Sequence, residues 1–570
     1  MVTPSTATGR FELHTERVGA LPIVNYFCRR AGLDEALAAH VPADDRRLRL
    51  APAAVLGVVV RNLIIDHEPV YALGEWAAPY DPALLGLEPG GVGLLNDDRV
   101  GRSLDRLFDA DRASLLTDVV LRAVRAFGID CSELHNDSTT VTFSGNYRFA
   151  DGRPRGGRPT AAITFGYNKD HRPDLRQLVW ILTVSSDGAV PLAHRVVAGN
   201  TTDDVTHVAS WDELCALVGR KDFLYVADSK LCNRTAMDHI DSAGGRFVTV
   251  LPRSRREDGW FRDWIYRNPP AWAEAQHVPA RRRHQPPDVL SVFESPLGSA
   301  EGYRIIWICS TAKKAHDATS RTARIERAER DLADLATRVA GPKSRVKTRV
   351  AAEEAARAVL ADTNTVEYFD IWVVEERDKR YTASHRGSPG PATTFHQTHR
   401  SRFRLTWKLR AHAVRRAAAS DGCWPLITND PDLTPAQILA AYRYQPHLER
   451  RHHCLKGAQA VAPVHLHSPA RIEALLCCHF VALLVHALIE RQIRATMNLA
   501  GTAAIALYPE DRDCTAPSAA RALDVFAGLT RNRLYQDGRL VQTFEPRLDS
   551  RHRTILRLLG IPVRAYQTSE

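Results

Sequence analysis

IDCSELHNDSTTVTF, residues 129–143, is the stretch on which the fold turns. Upstream of it apolar residues recur at helical spacing; from it onward they alternate or run in short blocks. Four such blocks follow: AAITFGYN (161–168), QLVWILTVSS (177–186), AVPLAHRVVAG (189–199) and, after a helical segment from about 204 to 219, FLYVAD (223–228). Blocks rich in β-branched and aromatic residues and bounded by Gly, Asp and Asn are strand signals. Three or four strands, a helix and a strand able to lie beside the first give an α/β layout with a mixed sheet. Asp137 is expected just after the first strand and Asp228 at the end of the later one, on the sheet rim where ligands bind. Aspartate also ends strands as a turn former, and each residue taken singly reads as that.

A third acid lies far downstream in LTPAQILAAYRYQPHLERRHHCLKG, residues 433–457. Thr434, Pro435 and Gln437 are a helix start: a hydroxyl cap, a proline at the first helical position and a glutamine that can reach back. Pro446 kinks or restarts the helix, after which Glu449, His452 or His453, and Lys456 share one face until Gly457 ends it. By itself this is also the pattern of a solvated amphipathic helix. With Asp137 and Asp228 it reads differently. Two carboxylates at adjacent strand ends and one on a packed helix can hold two Mg²⁺ ions about 3.5–4 Å apart, the arrangement that clamps both oxygens of a phosphodiester displacement. The crowded histidines and Cys454 of HLERRHHC lack tetrahedral zinc spacing.

Around this core, residues 1–127 read as a helical N-terminal region, a DNA reader or a dimerisation module, with no single recognition helix. Residues 128–250 form the first part of the α/β core. Residues 251–415 break the pattern and read as an inserted α+β domain, with basic segments at Arg281 and Arg282, at Lys343, Arg345 and Lys347, and at 400–410, where basics alternate with Phe403 and Trp407. Basic side chains interleaved with aromatics suit phosphate contact and base stacking, and equally a solvated face over two buried rings. The core resumes over 416–496, where the apolar run 474–489 reads as a buried helix too short for a membrane span. Residues 497–570 read as a tail of helical fragments.

At 570 residues the chain needs several cores. Its net charge of +10 favours a polyanionic partner. Ten scattered cysteines without a C-x-x-C pair, and an N-terminus without an apolar leader, point to reduced thiols and a cytoplasmic, nucleoid-associated setting with no membrane partner.

These motifs resemble those of a DDE transposase of a bacterial insertion sequence, in the "IS-four" superfamily whose third-acid helix carries a Tyr, Arg, Glu, Lys signature. The resemblance runs from about residue 10 to 495. It rests on HNDSTTVTFSG around Asp137, GYNKDHRPDLRQLVW, GNTTDD (199–204), YVADSK around Asp228 and YRYQPHLERRHHCLK around Glu449. The signature falls on Tyr442, Gln445 in place of arginine, Glu449 and Lys456, so Arg450 or Arg451 is expected to take over the missing phosphate contact. The resemblance implies a ribonuclease-H-like core interrupted between the second and third acids. It also implies Mg²⁺- or Mn²⁺-dependent cleavage at terminal inverted repeats, with two ions per site held by Asp137, Asp228 and Glu449, and joining of the 3′-hydroxyls to target DNA. Lys456 and Tyr442 would contact phosphate, and holding two double-stranded ends implies a homodimer on DNA. Two other functions fit the same residues: a nuclease of this fold that cuts without joining, and a non-catalytic DNA-binding regulator derived from a transposase.

Overall fold

A computed structural model describes residues 10–43, 48–147, 150–280, 284–341, 344–457, 459, 461, 465–508, 510 and 512–567. The chain divides into two compact units, Met1–Thr249 with Ala440–Glu570, and Val250–Leu439.

In the first unit a mixed sheet runs Pro191–Ala198, Arg176–Ser185, Glu133–Phe143, Leu224–Ala227, Arg246–Val250. The first three strands pair antiparallel, and the last two lie parallel to Glu133–Phe143. All of Leu224–Ala227 and nearly all of Arg176–Ser185 are buried, which is why they read as unbroken apolar runs. Residues 161–168 are not the expected strand. They touch the sheet at a single bridge, Thr164 to Gln177. Gln177 Nε2 donates to the carbonyls of Tyr167 (3.1 Å) and Gly199 (2.7 Å), so a side chain replaces a ladder.

The other half of this unit is built on one helix, Pro469–Leu499. It outruns the apolar segment seen in the sequence and is long and apolar enough to cross a membrane, yet its most apolar window is wholly buried inside the protein. The helices Leu21–Arg30, Pro52–Ile65 and Asp97–Asp109 pack against it. One polar group inside it, His486, is accommodated: burial depresses it to about 4, and the neutral ring meets the Ile64 carbonyl at 3.0 Å.

The N-terminal region is not wholly helical, nor are residues 497–570 helical fragments alone. Phe11–Arg17 pairs antiparallel with Thr530–Gln536, which pairs with Arg539–Phe544. These strands are mostly exposed and polar, so they lack the alternation that marks a half-buried strand. Their one signal is the turn: Asp537 and Gly538 both take positive φ, +50° and +78°, as a two-residue hairpin demands.

The second unit has a four-stranded antiparallel array, Cys423–Thr428, Arg304–Ser310, Asp288–Glu294, Ala273–Val278. Phe261 of the helix Arg256–Arg267 stacks on Trp307 with ring centroids 3.8 Å apart. A separate core joins the helices Thr311–Ala340 and Arg349–Asp362 to the base of a long ribbon, Phe369–Ala383 with Phe395–Leu409, through Leu332, Ala356, Val373 and Phe403. Cys423–Thr428 therefore belongs with the inserted residues, because its pairing partner is Arg304–Ser310. The division falls at 249/250 and 439/440, where the sequence reading places it at 250/251 and 415/416.

Candidate active site

Thr434 and Gln437 cap the helix Pro435–Tyr442 as expected: Gln437 N donates to Thr434 Oγ1 (3.3 Å) and Thr434 N to Gln437 Oε1 (2.9 Å). The chain then turns, and Pro446 stands in the first turn of a second helix, Gln445–Lys456. That helix packs on Glu133–Phe143 and Arg176–Ser185.

Asp137 lies within Glu133–Phe143 and not after it, opposite Leu182. The parallel pairing with Leu224–Ala227 ends at Asn136 and Ala227, so the next residue on each strand is an acid, Asp137 beside Asp228. Asp228 is also the cap of a short 3₁₀ turn, its Oδ1 accepting from Lys230 N at 2.9 Å. Glu449 is exposed on the Gln445–Lys456 helix and takes part in no hydrogen bond or ion pair among the described residues. Tyr442 feels the charge of all three acids. Burial first, then Asp228, Asp137 and Glu449, push its phenol up to about 12, so it stays a hydrogen-bond donor at neutral pH.

Two further groups complete the cluster. Lys169 Nζ donates to Ser138 O (2.6 Å) and Oγ (2.7 Å) and stands 3.5 Å from Asp137 Oδ1 and 3.3 Å from Asp203 Oδ2. Ser138 Oγ in turn donates to Asp203 Oδ1 at 2.6 Å. Burial opposes charge on Lys169, but Asp137 and Asp203 outweigh it and hold the ammonium above its ordinary range. Burial raises Asp137, against the pull of Lys169; burial and the neighbouring Asp137 and Asp203 raise Asp228. His452 Nε2 is 3.7 Å from Asp137 Oδ2, and burial depresses this imidazole to about 3.

The other sequence candidates separate. Lys456 is paired with Asp170 at 2.6 Å. Gln445 is half-buried with its Oε1 unpartnered. Arg450 is exposed, whereas Arg451 is buried on Glu490 (2.7 Å) and on the carbonyls of Ala189 and Gly188 (both 2.9 Å), which removes it as a phosphate ligand. Arg345 and Lys347 are exposed in the second unit. Arg281, Arg282 and Lys343 lie outside the described residues.

Lys169 and Asp203 are the members the sequence did not single out. Their only signal is that GYNKD and GNTTDD put charge into segments longer than a turn needs. Among the described residues no three His, Cys, Asp or Glu side chains stand at closed metal-ligand spacing. The oxygen donors of Asp137, Asp203, Asp228 and Glu449 nonetheless suit a hard divalent cation. A cavity of about 1030 Å³ belongs to the second unit; two of the arginines that line it are paired, Arg321 with Asp421 and Arg410 with Asp370.

A family model described as "Domain of unknown function (DUF4277)" matches residues 13–121. No curated protein matches the chain. Among solved structures, the piggyBac transposase synaptic complex with hairpin DNA aligns at a TM-score of 0.26 and 10% identity, over 52% of this chain and 63% of that one. The match therefore spans less than two thirds of that transposase, and the family-model match covers the helical N-terminal region up to the Arg112–Phe127 helix.

Proposed function

We propose that the chain is a DNA transposase that cuts insertion-sequence ends at terminal inverted repeats and joins the freed 3′-hydroxyls to target DNA. The observation that supports this reading is that Asp137 and Asp228 follow the last paired residues of two adjacent parallel strands, while the helix that carries Glu449 packs on the first of those strands. The strand order supports a ribonuclease-H-like core: three antiparallel strands, with two parallel ones on the far side of the first. Asp137, Asp228 and Glu449 would hold Mg²⁺ or Mn²⁺. Bound there, two such ions polarise the scissile phosphate and lower the pKa of the attacking hydroxyl. Tyr442, protonated at neutral pH, donates to a phosphate oxygen. Lys456, at the end of the helix that carries Glu449, exchanges Asp170 for phosphate. Neutral His452 closes the apolar side of Asp137 without adding charge.

Full-length protein and labelled DNA from the flanks of its reading frame test this, with Mg²⁺ or Mn²⁺. Wild type is expected to nick at a repeat boundary and yield joined products, and Glu449→Gln to do neither. Equal nicking by both proteins overturns the assignment, and nicking without joining selects a nuclease.

The ribbon of the second unit is the proposed DNA contact. Beyond its packed base, residues 374–382 are exposed on one strand, and Tyr381 and Phe395 are 59% and 50% exposed. Arg377, Arg402 and Arg404 are paired with Glu375, Asp378 and Glu376, but Lys379, Arg380 and Arg386 have no ion pair among the described residues. Each lysine or arginine on phosphate releases about one counterion. Replacing these three by Ala is expected to flatten the log–log salt dependence of DNA binding by about 2–3. A slope unchanged by the triple variant removes the ribbon from the interface. Two ends held at once imply a homodimer on DNA.

A further inference from the structure

The carboxylate cluster already carries a cation of its own. Lys169 is no free surface lysine: two hydrogen bonds to Ser138 fix its ammonium, and Ser138 also holds Asp203. The ammonium stands within 3.5 Å of one oxygen of Asp137 and of Asp203. Resting on the metal reading above, we propose that Lys169 is the resident counter-ion of this site. A divalent cation reaching Asp137 has to displace it, and Asp203 is the acceptor that retains the displaced ammonium.

Three observations carry this. A dication placed on the Asp137 oxygen that faces Lys169 is repelled by the ammonium, and in a partly buried site that repulsion is several times that in water. Asp203 lies on a 3₁₀ turn, Asp203–Val205, that packs against the turn capped by Asp228, so it is close enough to keep the lysine without occupying the Asp137–Asp228 edge. Lastly, both ring nitrogens of His452 are buried without a hydrogen-bond partner, and Nε2 faces Asp137. Buried polar atoms are seldom left unsatisfied, so the surroundings of Asp137 are built for more than the lysine. In this arrangement Lys169 keeps three acids tolerable in one place before the ion arrives, and sets a threshold for its entry.

The test is direct Mn²⁺ binding to the DNA-free full chain, by electron paramagnetic resonance and calorimetry, independent of any cleavage. Lys169→Met is expected to bind Mn²⁺ at least tenfold more tightly than wild type, and Lys169→Arg to stay close to wild type. Lys169→Gln, which can still donate to Ser138, makes the same comparison should the Met variant fail to fold. Asp137→Asn should lose binding. Unchanged or weaker Mn²⁺ affinity in a folded Lys169→Met overturns the counter-ion role and leaves the metal site standing. No Mn²⁺ bound by wild type or by Lys169→Met overturns the metal reading, and this inference with it.

Discussion

Asp228→Asn is expected to abolish DNA cleavage and, at the same time, to make the protein more stable at neutral pH. On the proposed metal reading, losing this carboxylate removes several kcal/mol of transition-state stabilisation, about 10³–10⁴-fold in rate. The stability gain follows from where Asp228 sits. Burial and two neighbouring aspartates raise its pKa in the folded protein, so ionising it costs stability that the unfolded chain does not lose. That cost is felt above the folded pKa and disappears in acid, below the ordinary aspartate range, where both states are protonated. Asparagine keeps the Oδ1 that accepts from Lys230 N and removes the charge. Scanning calorimetry should show a higher Tm for Asp228→Asn at pH 7.5 and a shrinking difference towards pH 4. A lower Tm throughout would mean that the carboxylate is structural, and cleavage by this variant would remove it from the reaction.

Arg451→Ala is expected to cost about 3–5 kcal/mol of stability, the range for breaking a buried ion pair from one side. Arg450→Ala, one residue away, should leave stability unchanged. Arg451 binds Glu490 and clamps the turn between two sheet strands through the carbonyls of Gly188 and Ala189, the latter held at φ +52°. Burial raises Glu490, but Arg451 and then Arg494 outweigh it and keep its carboxyl below the usual range. The pair therefore stabilises the fold at neutral pH, and its contribution falls away in acid as Glu490 is protonated. Denaturant titration at pH 7 separates the two arginines. Equal midpoints for both variants would show Arg451 to be no more structural than its neighbour. Because Arg451 and Glu449 share a helix, its loss should also lower cleavage without touching DNA.

The end of one strand and the start of one helix were legible in the sequence because both are local features. Asp228 closes an apolar run, and Thr434, Pro435 and Gln437 mark a helix start; both are set by neighbours within a few residues. What it misplaced depends on distant partners. The block 161–168 alternates like a strand, but Phe165 and Tyr167 face solvent and the polar Gln177 side chain takes up the Tyr167 carbonyl. Lys169 directly follows that block, and its position is visible only when Ser138 and Asp203 are folded around it. Arg451 looked like one more basic residue in HLERRHHC, because nothing local distinguishes a buried guanidinium from an exposed one. Cys423–Thr428, read from the sequence as the start of the resumed core, groups by contact with the second unit, where it pairs with Arg304–Ser310 more than a hundred residues away.

The pairing of Phe11–Arg17 with Thr530–Gln536 sets an order of events during synthesis. The first strand leaves the ribosome early, but its partner follows more than five hundred residues later, about half a minute to two minutes at ~5–20 residues per second. Over that interval its edge is open to other chains. The first unit gains Glu449 and the helix Pro469–Leu499 only after the second unit has been made. A nascent or truncated chain can therefore fold its inserted unit well before Asp137, Asp228 and Glu449 belong to one folded unit, so the cleavage proposed above would be acquired late in synthesis.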